Sequence, residues 1–187
     1  MQRWLIVIQL HHERSFGLRP LAVVARLPAS IWMTVLRCWI EWIPEVLLCD
    51  VNVLVYAHRR DADQHLSFKR WMESLVNGEE AFGMSSVVLS GFLRVVTHPK
   101  VFASPSRLED AMAFANALIE APNCVPVAPG ARHWGIFCRL CEQAGVRGNL
   151  IPDAWLAALA IESGCEWITT DRDFSRFEGL RYRHPLR

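Results

Sequence analysis

The stretch Val46-Leu47-Leu48-Cys49-Asp50-Val51-Asn52-Val53-Leu54-Val55-Tyr56-Ala57 decides how the rest of the chain reads. It is almost continuously apolar, rich in Val and Leu, and free of Gly and Pro. That is the pattern of a strand buried on both faces of a parallel sheet. Asp50 and Asn52 interrupt it. An ionised Asp inside such a strand is costly unless something pairs with it. With the strand ending near Leu48–Asp50, Asp50 stands at its carboxyl edge, where open α/β sheets place their ligands. The competing reading makes Asp50 the cap of a following helix.

Working outward, the bulk of the chain fits one α/β domain with an appendage. It has 187 residues, 52% hydrophobic and 21% charged, which is enough for a full core and excludes a disordered chain. A net charge of +1 argues neither for nor against a nucleic-acid partner. Apart from Lys69 and Lys100 the basic residues are all Arg, the better phosphate clamp. The Cys residues show no disulfide spacing, and Cys138-x-x-Cys141 lacks the second pair of a zinc site. These two read as buried thiols on one helix face, and a reducing, cytoplasmic location is expected.

Residues 1–45 read differently. They hold Trp4, Trp32, Trp39 and Trp42 and no Asp, and they show no alternation of elements. Trp4–Leu10 is too short for a signal peptide, and Arg37, Glu41 and Pro44 argue against a membrane span. This N-terminal extension is expected to lie outside the working protein, with Val46, a residue that GUG encodes, as the true start. The alternative is a helix near Ile31–Ile43 docked on the sheet edge or on a membrane surface.

After Ala57 the polar run His58–Asp63 connects to a helix with Phe68, Trp71, Met72 and Leu75 on its core face, ending at Asn77-Gly78. Ala81–Met84 reads as a strand, and Ser85-Ser86 as the cap of a helix running to Thr97. Ser106-Arg107-Leu108-Glu109 reads as a capping box, with Ala111, Phe114, Ala115 and Leu118 inward. Cys124–Val127 reads as a strand, at a sheet edge because of Pro126. A helix is predicted from Gly130 to Gln143 with Gly145 as its stop. Gly148–Pro152 reads as a loop before a helix from Asp153 to Glu162, and Glu166–Thr169 as a short strand. Strand and helix alternate, so the expected architecture is a mostly parallel sheet flanked by helices on both faces, an α/β/α arrangement.

Three acids fall at equivalent places. Asp50 and Asp171 follow buried strands, and Asp153 opens a helix. Carboxylates gathered at one sheet edge raise each other's pKa unless a divalent cation sits between them. Mg²⁺, or Mn²⁺, suits such an all-oxygen set.

From Val46 to the C-terminus the chain resembles the PIN domain ribonucleases, and more closely the VapC toxins of type II toxin–antitoxin pairs. The resemblance rests on Leu48–Ala57, Phe92-Leu93-Arg94-Val95-Val96-Thr97, Asn149-Leu150-Ile151-Pro152-Asp153-Ala154 and Thr169-Thr170-Asp171-Arg172-Asp173-Phe174, with the tail Phe177–Leu180 and Pro185-Leu186. It implies a PIN domain over 46–187 that acts as a metal-dependent endoribonuclease on RNA. It places the metal on Asp50 and Asp153, with Asp171 completing a catalytic acid set. It also implies a VapB-like antitoxin partner; a homodimer and no membrane partner are expected as well. A segment of that partner would cover an apolar groove between Phe68–Leu75 and Val87–Val96 and send an Arg toward the acids.

One departure stands out. The resemblance calls for a Glu where Ser90-Gly91-Phe92 has Gly91. Glu162, nine residues after Asp153, lies on the opposite helix face, so Asp173 is the better local substitute. Asn52 supports Asp50 by orienting it or coordinates through water, or is a simple cap. Arg94 and Arg172 are candidates for phosphate contact, and Arg176, Arg181, Arg183, His184 and Arg187 form a basic tail. Gly91 also keeps open a catalytically impaired PIN domain that only binds RNA or its antitoxin. A haloacid-dehalogenase-like phosphatase is disfavoured, because its second Asp would fall on Asn52.

Overall fold

The computed structural model describes residues 46–187; the expectations for residues 1–45, whether upstream sequence or docked helix, lie outside the described residues. The described chain forms five parallel strands in the order β3-β2-β1-β4-β5, with six helices around them. β1 is Leu47–Cys49 and α1 Val51–His58, followed by α2 His65–Val76, β2 Phe82–Met84 and α3 Ser86–Val96. Then come α4 Leu108–Ile119, β3 Cys124–Pro126, α5 His133–Gln143, α6 Leu150–Ser163 and β4 Glu166–Ile168. A 3₁₀ turn at Arg172–Arg176 and β5 at Tyr182–Arg183 close the fold.

The opening stretch divides in two. Only Leu47–Cys49 is strand; Val51 onward is helical, with Val53, Leu54 and Ala57 buried. An unbroken apolar run suits a buried helix as well as a buried strand, and Asp50 settles the matter by capping α1. So Asp50 ends a strand and opens a helix at once.

Several expected boundaries shift for physical reasons. α6 starts at Leu150, not Asp153, and takes Pro152 into its first turn. Proline is tolerated there because its missing N–H would have no helical partner. The predicted capping box does not form: Arg107 occupies the cap without a side-chain bond. Ser106 Oγ lies instead 3.2 Å from Arg59 Nη1 and 3.1 Å from His58 Nε2. Ser85 does occupy the cap of α3, but its buried hydroxyl makes no capping bond.

β3 is an edge strand, as Pro126 suggests. β5 was not expected; it is two residues long and too charged to read as a strand, yet it extends β4 in parallel. Cys138 and Cys141 are half-buried free thiols on α5, not fully buried ones, and Cys141 packs against the core.

Trp167, Phe82, Phe92 and Phe174 are the largest fully buried side chains of the core. Phe68, Met72 and Leu75 are buried too, on the helix that packs most closely with α1. They belong to the core, while Leu66 on the same helix and Val87 on α3 stay exposed. The open cavity there, about 890 Å³, lies at the C-terminal end of α1 and mixes Arg60, Lys69 and Arg107 with Asp61, Glu73 and Asp110. Among the described residues no helix is long and apolar enough to cross a membrane.

Candidate active site

The strand order reverses beside β1: β2 and β3 lie on one side of it, β4 and β5 on the other. A parallel sheet opens a crevice at the carboxyl ends of its strands at such a switch point. The ladder pairs Cys49 with Ile168, so Asp50 and Thr169 come next on adjacent strands. The Asp50 N–H still donates to the Ile168 carbonyl at 2.9 Å, which holds the two strand ends together.

Asp50 is 6% exposed and accepts three hydrogen bonds. Its Oδ1 accepts the Val51 N–H at 2.6 Å, and its Oδ2 accepts Asn52 Nδ2 at 2.7 Å and the Thr169 hydroxyl at 2.6 Å. Asn52 Nδ2 also reaches Thr169 Oγ1 at 3.1 Å, so Asn52 bridges Asp50 and Thr169. Thr169 Oγ1 accepts the Asp171 N–H at 3.0 Å, and Asp171 Oδ1 accepts the Asp173 N–H at 2.8 Å.

Burial pushes the Asp50 carboxyl up to about 6, against the bonds from Thr169 and Val51, and the charges of Asp153 and Asp171 push the same way. Asp153, half-buried in the first turn of α6, is raised by burial and then by Asp171 and Asp173, with Arg176 opposing. The three acids thus share one field at the carboxyl edge of β1 and β4. They are not a closed cage: among the described residues no three His, Cys, Asp or Glu side chains are gathered as a metal-holding group.

The other candidates divide. Asp173 is near enough to raise Asp153, but its Oδ1 takes the Arg176 guanidinium at 2.5 Å. Arg94 and Arg172 are exposed. The basic tail is largely spoken for: Arg183 Nε bonds Glu166 Oε2 at 2.8 Å and Arg181 Nη2 bonds the Gly164 carbonyl at 2.6 Å. Glu162 faces away from the acids and accepts the N–H groups of Gly130 and Arg132 at 2.7 and 2.8 Å. Gly91 is half-buried on α3, and a Cβ there would stand 2.9 Å from Val51 Cγ2. Thr169 was missed as a site residue. Its signal was position alone, a polar side chain closing a buried strand next to Asp50.

A PIN domain family model matches residues 47–180. The chain is 46% identical over 141 residues to Ribonuclease VapC43 of Mycobacterium tuberculosis, covering 75% of this chain and 96% of that one. This chain belongs to the PIN domain family, among the VapC ribonucleases.

Ribonuclease VapC25 of the same organism is 39% identical over 140 residues, covering 75% of this chain and 99% of that one. The VapC fold is shared with more distant solved structures. One is VapBC2 from Rickettsia felis bound to a DNA fragment from its promoter, with TM-score 0.54 and 20% identity over 74% of this chain and 98% of that one. Another is M. tuberculosis VapC20, a sarcin–ricin loop cleaving toxin, with TM-score 0.52 and 16% identity over 72% and 98%. As a VapC ribonuclease this chain is an RNA-hydrolysing enzyme.

Proposed function

We propose that this VapC chain is a Mg²⁺-dependent endoribonuclease, with Mn²⁺ as a competent substitute, and the toxin of a toxin–antitoxin pair. The observation that carries the site is the buried Asp50, raised to about 6 within the shared field of Asp153 and Asp171. A carboxylate in that state gains from a nearby cation.

The donor set fits a hard divalent ion. All three groups offer oxygen, and Asp50 keeps one Oδ1 lone pair beyond its Val51 bond. Asp50 and Asp153 would hold the ion and Asp171 would complete the acid set. Such an ion supplies charge neutralisation for a phosphodiester and acidifies an attacking water. Asp50 and Asp153 place negative charge where it would be held, and Asn52 keeps Asp50 from rotating away. Arg94 and Arg172, both exposed, are free to meet RNA phosphates.

The assay is cleavage of total RNA by the purified chain. Activity with Mg²⁺, abolished by EDTA and restored by excess Mg²⁺ or Mn²⁺, is the expected result. EDTA-resistant cleavage would contradict the cation.

The antitoxin partner follows from the company the fold keeps, since VapBC complexes are among its solved relatives. The mixed-charge cavity at the end of α1 suits a charged peptide segment better than an apolar one.

A further inference from the structure

Thr169 is where the two halves of the acid site are tied together. Its Oγ1 receives N–H groups from Asn52 at 3.1 Å and from Asp171 at 3.0 Å, and it lies 2.6 Å from Asp50 Oδ2. A hydroxyl has one proton and two lone pairs. Two N–H donors occupy the lone pairs, so the proton is directed at Asp50. Oδ2 of Asp50 then has both its places filled, by Thr169 and Asn52, while Oδ1 has one filled, by Val51. Thr169 is 2% exposed, so water does not compete for these bonds.

We infer that Thr169 is a positioning residue of the cation site. Its hydroxyl closes Oδ2 of Asp50, so that Oδ1 alone is offered to a cation, and it ties the backbone of Asp171 to the same carboxylate, fixing the spacing of the two acids. The inference rests on the proposal that a divalent cation binds at Asp50. Outer partners that orient a ligating carboxylate typically contribute ten- to hundredfold in metal affinity. A hydroxyl that only satisfied buried polar groups would contribute to stability and leave affinity unmoved.

The test is a Mn²⁺ titration of the full chain by electron paramagnetic resonance, run on wild type, Thr169→Ser, Thr169→Val and Thr169→Ala. Circular dichroism checks the fold of each, and titrations are made well below the melting temperature. The serine variant keeps the hydroxyl and should bind like wild type. The valine and alanine variants should bind at least about tenfold more weakly. Wild-type affinity in the valine or alanine variant overturns the inference, as does a serine variant that falls with them. Should valine fail to fold, serine against alanine decides. A wild-type chain that binds no Mn²⁺ overturns the cation proposal itself, a distinguishable failure.

Discussion

Asp50 carries a cost that the fold accepts. Its carboxyl is raised to about 6 from an ordinary 3.8, so between those values the folded chain holds a proton that the unfolded chain has lost. Stability from this group is therefore full below about pH 4 and declines as pH rises through 6. Asp153 is shifted in the same direction and adds to the slope. Melting temperatures without divalent ions should fall from pH 4 to pH 7, and Mg²⁺ should recover part of the loss at pH 7. Asp50→Asn should flatten the slope, and an unchanged slope would remove Asp50 as its source. The sequence made Asp50, Asp153 and Asp171 legible through their places after strands and at a helix start. It could not reveal Thr169, whose role depends on which residue register brings next to Asp50.

Gly91 shows the same limit. Its departure from the expected Glu is plain in the sequence, but its neighbour is not: Val51 Cγ2 fills the space a Cβ would enter. A helix-interior Gly costs about 1 kcal/mol relative to Ala, while overpacking costs about 1–3 kcal/mol. Gly91→Ala should thus be neutral to destabilising in wild type and stabilising in a Val51→Ala background. A double-mutant cycle by denaturant melts measures that reversal; additive effects would mean the contact is not what keeps Gly91.

At the scale of elements, most helices and strands were legible from periodicity, and one error came from a side chain with a distant partner. Ser106 looked like a cap until Arg59 is considered. Arg59 is buried, grips Asp61 through two nitrogens, donates to the Ser104 carbonyl at 2.8 Å and lies over the Phe102 ring at 4.1 Å. It ties the end of α1 to the connection between α3 and α4. Lysine offers a point charge in place of this planar fork, so Arg59→Lys should destabilise the domain by about 1–2 kcal/mol. A denaturant midpoint equal to wild type would show the clamp to be dispensable. Glu162 works likewise at the start of α5, where it takes two N–H groups that the helix cannot satisfy itself. Its separation from the acids was legible from helical spacing; its partner was not.

At the scale of the molecule, strand order explains why the site lies where it does. β1 and β4 part the sheet into two directions, and their carboxyl ends bring Asp50, Thr169 and Asp171 to one sheet edge, with Asp153 of α6 near enough to raise Asp50. The alternation of elements predicted a parallel sheet, yet the order of its strands is a long-range fact that no local pattern records. A net charge of +1 gives the chain no strong overall field for RNA, so the proposed mechanism rests on the acids at this sheet edge. The most direct test is single-turnover RNA cleavage in Mg²⁺ by wild type, Asp50→Asn and Asp153→Asn, each shown folded by circular dichroism. Both variants should lose at least about a hundredfold in rate, beyond what losing an outer partner costs. Cleavage by both at the wild-type rate would contradict the assignment of the site.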